Sequence, residues 1–200
     1  MSRFDEVAKH WDSKSKRVAI GKKAVQMIRS AVEVKDKRVL DYGCGTGLLS
    51  YGLAQDAKWV EGMDSSKGML EVFEQKNEHF GFDNVQATFH DANHDRLAPD
   101  SYDLIVSSMT FHHIKDVTGF IKQCYEALSS GGTLCIVDLD KEDGSFHSDN
   151  CGVQHFGFCH ETVHSYLSSS GFTPQSIENI CTINKDAKEY PVFLAVGAKQ

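Results

Sequence analysis

No stretch of the chain stays apolar for anything near the ~18 residues that a membrane-crossing helix needs. The first residues, MSRFDEVAKHWD, are charged from position 3 and hold no apolar run. A membrane span and a secretory leader are therefore not expected, and the expected location is the cytoplasm. Proline is scarce, with Pro99, Pro174 and Pro191 the only three, so there is no Pro-rich linker. Repeats and low-complexity tracts are missing too. One continuous domain is the simplest division, and 200 residues suit a single domain. No two of the six cysteines form a CxxC pair, which argues against a disulfide framework and against a thiolate zinc site; reduced thiols are expected. Positive charge is in short supply, with 21 Lys and Arg against 28 Asp and Glu and a net charge of -7. A nucleic-acid backbone calls for clustered cations, so nucleic acid is not an expected partner. The densest basic run, Lys14, Lys16, Arg17, Lys22 and Lys23, reads as the solvated face of a helix. What remains is an ordinary globular composition, 40% hydrophobic and 24% charged, enough to build a core.

Apolar spacing predicts a helical stretch over 4–31, then a short buried strand at 38–43 and further strands at 59–64, 84–92 (alternating with period two), 102–108 and 133–139. Helical patterns fill the gaps at 46–55, 66–79 and 116–128, the last ending at a Gly131-Gly132 breaker. Strand and helix alternate at βαβ spacing, which implies a doubly wound α/β fold with a parallel sheet. Past residue 140 the pattern changes. Residues 141–158 read as a loop, 160–170 as a helix, and 172–182 and 190–198 as two strands joined by a hairpin-like return through INKDAKE. The expected division is an N-terminal helical lid over 1–35, a cofactor-binding core over 36–140, and a substrate-side loop, helix and two terminal strands over 141–200.

VLDYGCGTGLLS (39–50) is the most informative segment. A buried strand runs into Gly43-x-Gly45-x-Gly47 and then a helix. Glycines there let the chain turn sharply and let a ligand press on bare backbone, beside the unpaired N–H groups of a helix start. Asp64 ends the second strand, 21 residues after Gly43, where a carboxylate can accept both hydroxyls of a ribose. The bland alternative is a helix cap, a role that Ser65 or Ser66 can also fill. Asp41, two places before the first glycine, is costly at a strand end unless paired. It suits a cationic ligand, an ammonium or sulfonium, and would repel a pyrophosphate. His90-Asp91-Ala92 closes the third strand, and Asp91 there could accept from an adenine amino group.

These segments, with YDLIVSSMTFHHI (102–114) and LSSGGTLCIVD (128–138), resemble class I S-adenosylmethionine-dependent methyltransferases. The resemblance is to the small-molecule branch that includes ubiquinone- and menaquinone-biosynthesis-like enzymes (methyltransferase types 11 and 12). It is carried by residues 36–140 and is loose outside them. It implies a Rossmann-like seven-stranded sheet, mostly parallel with an antiparallel last strand, and S-adenosyl-L-methionine as cofactor. It further implies cofactor contacts at Asp41, Gly43, Cys44, Gly45 and Gly47, at Asp64, Ser65 and Met69, at Asp91 and Ala92, and at Ser107. FDEVAKHWD (4–12) resembles the family's N-terminal segment, which adds Trp11 near the site and Arg17 toward the cofactor carboxylate.

An acidic nucleophile needs a base near neutral pH, and histidine is the default. The candidates are His112 and His113 after the fourth strand and His155 in the 141–158 loop, where Phe156 and Phe158 could wall an apolar pocket. His160 and His164 have zinc-compatible spacing without an evident third ligand. Asp138, Asp140, Glu142 and Asp143 form an acidic run, but a catechol-type metal site would also need a carboxylate where Ser107-Ser108 stands. No catalytic metal is expected. SSMT (107–110) replaces the Asn/Asp-Pro-Pro-aromatic motif of amino-group methylation on nucleic acid or glutamine, and Cys135 reads as core. The expected activity is methyl transfer by in-line displacement to a small-molecule acceptor, on O, N, S or C, by a monomer or homodimer. A non-catalytic module that binds the same cofactor is the alternative. A nicotinamide-dependent oxidoreductase is a lesser one, set back by the GxGxG spacing and by Asp41.

Overall fold

The computed structural model describes residues 3–200. Seven strands form one sheet in the order β3-β2-β1-β4-β5-β7-β6. β1 (Arg38–Tyr42), β2 (Trp59–Asp64), β3 (Val85–Phe89), β4 (Tyr102–Ser108) and β5 (Leu128–Leu139) run parallel. β7 (Lys188–Ala198) lies antiparallel between β5 and β6 (Thr173–Lys185). The central strands are buried on both faces, which is why they read as continuous apolar runs rather than as alternating ones.

Strand side chains of one parity, among them Val39, Val60, Leu104 and Val137, pack under α2 (Ser15–Ala31), α3 (Leu48–Ala54) and α4 (Lys67–Phe80). The other parity, among them Leu40, Ile105, Leu134 and Phe193, packs under α5 (Val117–Ala127) and α6 (His160–Ser169). No helix among the described residues is long and apolar enough to cross a membrane.

Three expectations need correction. The helical stretch over 4–31 is broken into α1 (Arg3–Val7), a 3₁₀ turn over Ala8–Ser13 and α2. Lys14 is extended (φ -84°, ψ 102°), and the chain bends there to lay its first residues across α4. The helix expected over 116–128 stops at Ala127, because Leu128 already pairs with Tyr102. β5 therefore begins five residues early, and Gly131 (φ 76°) sits in an irregularity of that strand rather than ending a helix. The loop between the terminal strands is shorter than expected. Pairing continues to Lys185↔Lys188, and the turn is Asp186-Ala187 with φ of 51° and 58°, both positive as a two-residue hairpin turn demands. Residues 1 and 2 of the expected lid lie outside the described residues.

The chain builds outward from β1 to β2 and β3, then returns to place β4 on the other side of β1. Crevices for ligands form at such a reversal, beyond the carboxyl ends of the strands.

Candidate active site

The turn after β1 occupies that reversal. Its Gly43 and Cys44 N–H groups both donate to the Met63 carbonyl, at 2.7 and 3.0 Å, tying the tip of β1 to that of β2. Gly43 has φ 72°, and a methyl group there would lie 2.1 Å from the Thr110 hydroxyl oxygen. A side chain at 43 would displace Thr110, two residues past the end of β4. Gly45 is the opposite case: φ is 54°, and nothing lies within 4 Å of where its Cβ would be. Bare backbone faces open space at the centre of the turn. The Cys44 side chain is buried against Gly62, and burial pushes its thiol well above the usual range.

Two carboxylates stand at adjacent strand ends. Asp64 accepts from the Gly45 N–H at 2.9 Å with one oxygen and from the Ser66 N–H at 2.8 Å with the other. Burial raises its pKa, against the pull of those backbone donors. Asp41 is 1% exposed and accepts from the Ser50 hydroxyl at 2.6 Å. Burial pushes its carboxyl up to about 7, and the Ser50 bond offsets only part of that. Ser66, not Ser65, caps α4 by accepting from the Met69 N–H, and the Met69 side chain is buried. Asp91 follows β3 and accepts from the Asn93 backbone and side-chain amides; the Asn93 backbone bond is the main cause of its lowered pKa. Ala92 is half-buried beside it. Ser107 is fully buried, and its hydroxyl donates to the Tyr42 carbonyl at 2.7 Å.

The N-terminal segment is fastened over this turn by residues that sequence reasoning did not single out. Asp12 accepts from the Thr46 hydroxyl at 2.6 Å and pairs with Lys76 at 2.8 Å. Lys76 also donates to the Thr46 carbonyl. Asp5 accepts from the Ser66 hydroxyl and the Gly68 N–H at the start of α4. Arg17 stacks on Trp11, its guanidinium 3.5 Å from the ring centroid, and Phe4 makes edge-to-face contacts with both Trp11 and His113. The Asp5 and Asp12 tethers pair residues 34 to 64 positions apart, so they leave no local pattern in the sequence.

Met109, in the left-handed region with φ 58°, bends the chain out of β4 into a 3₁₀ turn over Phe111–His113. His112 is buried, and its Nδ1 lies 2.6 Å from the Asp138 carboxylate at the end of β5. Burial alone would raise the Asp138 pKa; the neighbouring imidazole and two backbone donors hold it below the usual range. The Nδ1 of His113 lies 2.9 Å from the Gly152 carbonyl. His147, from the loop after β5, packs at a tilt against both rings. It lies 34 positions beyond His113, and nothing in the sequence flagged it.

His155 stands apart from that cluster. Its Nε2 lies 2.9 Å from the Ile114 carbonyl, its backbone N–H donates to the His112 carbonyl, and its ring packs on Phe158. Phe158 is core, whereas Phe156 is exposed. The acidic run is dispersed over separate partners: Asp140 pairs with His160, and Asp143 with Lys188. A groove of about 590 Å³ between the end of α2 and strands β6 and β7 lies far from these groups and gathers no comparable chemistry.

A family model described as a methyltransferase domain matches residues 33–155. An uncharacterized methyltransferase of Schizosaccharomyces pombe is 31% identical over 156 residues, covering 71% of this chain and 50% of its own length. The chain thus spans about half of that relative. A ubiquinone biosynthesis O-methyltransferase of Coxiella burnetii is 24% identical, covering 83% of this chain and 73% of its own. Among solved structures, a SAM-dependent methyltransferase from Aquifex aeolicus superposes with a TM-score of 0.74 at 19% identity, covering 96% of this chain and 97% of that one.

Proposed function

The chain belongs to the S-adenosylmethionine-dependent methyltransferase family, and from that premise we propose that it methylates a small-molecule acceptor by in-line displacement. The observation that carries this reading is the pairing of bare backbone at Gly45 with two carboxylates, Asp41 and Asp64, at neighbouring strand ends. That donor set fits the cofactor. Open space at Gly45 admits its methionine portion. Asp64 keeps lone pairs for the ribose hydroxyls after meeting two backbone donors, and Asp41 supplies negative charge for the ammonium and sulfonium. Asp91 and Ala92 take the adenine edge. Gly43, Cys44, Gly47, Ser65, Met69 and Ser107 shape the wall through backbone and packing.

The cofactor supplies an electrophilic methyl group on a positive sulfur, and the protein supplies position and electrostatics. Residues 3–14 act as a lid: the Asp5 and Asp12 tethers close it, and Trp11, backed by Arg17, shields the turn. Excluding water there strengthens each charge interaction inside. His113 supplies a basic nitrogen for the acceptor when no ion is bound there, and His112, held by Asp138, packs behind it. The O-methyltransferase named among the relatives favours an oxygen acceptor, and the shortage of cations favours a small molecule over nucleic acid.

The test is incubation of the purified chain with methyl-labelled cofactor and a fractionated metabolite extract. Label should enter a small molecule and not added RNA or DNA. Tight cofactor binding with no transfer to any fraction would mean a binding module instead.

His155 serves to pin the 141–158 loop through Ile114 and His112. We expect His155→Ala to leave cofactor affinity unchanged, to cost about 1–2 kcal/mol of stability for the lost hydrogen bond and ring packing, and to lower transfer. Urea unfolding and single-turnover assays on the labelled acceptor check this. An unchanged unfolding midpoint would remove the pinning role.

A further inference from the structure

The geometry points to a metal site: His112, His113 and His147 bind one divalent first-row transition-metal ion of the zinc type through three imidazole nitrogens. One potential ligand atom from each of the three lies within 4.8 Å of the other two. The ring centroids are 4.2, 5.1 and 5.6 Å apart. The expectation that no metal is used rested on the missing carboxylate at the end of β4, and imidazoles are a different donor set.

Hydrogen bonding fixes which nitrogens can serve. A carbonyl oxygen only accepts, so Nδ1 of His113 carries the proton that it gives to Gly152, and its Nε2 keeps the lone pair when the ring is neutral. His112 gives its Nδ1 proton to Asp138 in the same way, leaving Nε2 as the lone-pair nitrogen. That Nε2 is buried with no hydrogen-bond partner. A buried polar atom left unmet is costly, and a metal ion would meet it. Histidines that ligate a metal almost always give their other N–H to a carboxylate or backbone carbonyl; Asp138 and Gly152 are one of each.

Three neutral nitrogens and no oxygen select zinc, cobalt, nickel or iron over magnesium or calcium. In a tetrahedral zinc site the nitrogens stand roughly 3.3 Å apart, so the rings must draw together. His147 rides on a loop without helix or strand and can supply that movement. Three protein ligands leave a fourth position open. With His113 in edge-to-face contact with Phe4, that position falls beneath the lid, where an acceptor hydroxyl bound to the ion would be more acidic. This last role rests on the methyl-transfer reading; the ion site itself does not.

The test uses the full chain, freed of metal with a chelator and titrated with Co²⁺ and then Zn²⁺. One Co²⁺ per chain should give the visible bands of a four-coordinate ion, and one equivalent of Zn²⁺ should erase them. His147→Ala should weaken Zn²⁺ binding by at least about 100-fold, with cofactor affinity by calorimetry unchanged. Asp138→Asn should weaken Zn²⁺ binding by roughly 10- to 100-fold. Cofactor-binding protein that gives no Co²⁺ bands and no heat with Zn²⁺ overturns the proposal. So does a His147→Ala variant that holds Zn²⁺ as tightly as the native chain, which would place the ion on thiols such as the exposed Cys151 and Cys159. Stoichiometric metal without cofactor binding would leave the metal site standing and sink the methyl-transfer reading.

Discussion

Asp64→Asn should impair cofactor binding at least as much as Asp64→Ala, although Asn keeps the size and shape of the native side chain. An ionised carboxylate only accepts. One Asp64 oxygen already takes the Gly45 N–H and the other the Ser66 N–H, and their remaining lone pairs are the ones assigned to the ribose hydroxyls. An amide turns one of those oxygens into a donor. Whichever way it flips, an N–H then faces a peptide N–H that is at present less than 3 Å from an acceptor. Gly45 or the first turn of α4 must move away. Alanine loses the ligand bonds but forces no such collision. For Asp64→Ala the expected loss is about 1–3 kcal/mol, the scale for hydrogen bonds to a charged group, or roughly 5- to 150-fold in affinity by calorimetry. An Asn variant that binds within about twofold of the native chain would remove Asp64 from the cofactor site.

The parallel half of the sheet was legible because of where it lies. β2 and β4 fall on their expected limits, since each has a buried middle, around Val60 and over Leu104–Val106, and closes on polar residues, Asp64 and Ser107-Ser108. The glycine turn was legible because positive φ and close approach leave few residue choices. Asp41 announced that it needed a partner, and Ser50 on the first turns of α3 is that partner. Elsewhere local pattern misled or was silent. The apolar spacing of residues 4–31 is satisfied by one long helix, but the Asp5 and Asp12 tethers outweigh that propensity and bend the chain. Leu128 enters the sheet because pairing with Tyr102 is available in the fold, a fact that no window around Leu128 contains. His147 joins His112 and His113 only through the path of the loop after β5. Contacts made across such separations have no periodicity to read.

The reversal site also carries a stability cost that the cofactor should remove, and Asp41→Asn should reveal it. The Asp41 carboxyl titrates near 7 in the fold because burial disfavours its charge, against about 3.9 in an unfolded chain. The sign follows from the raised value. Below the unfolded pKa both states hold the proton and nothing is lost. As pH rises, the unfolded state ionises first and stability falls, until Asp41 itself ionises near 7 and the loss levels off at roughly 4 kcal/mol. Asparagine stays neutral and can still accept from Ser50. Unliganded Asp41→Asn should therefore be more stable than the native chain by roughly 2–4 kcal/mol at about pH 8.5, with the gap closing toward pH 4. Binding should respond in the opposite direction. A cationic cofactor needs the ionised carboxylate, so the ratio of native to variant affinity should grow from about pH 6 to pH 8 and exceed roughly tenfold at the upper end. Denaturant unfolding at two pH values and calorimetry on the same samples measure both. A variant that is less stable at high pH, or that binds as the native chain does, would mean that Asp41 is not an ionised partner of the cofactor. The expected pairing, a fold strengthened by losing the charge and a site weakened by the same change, identifies a carboxylate kept for binding at the expense of stability.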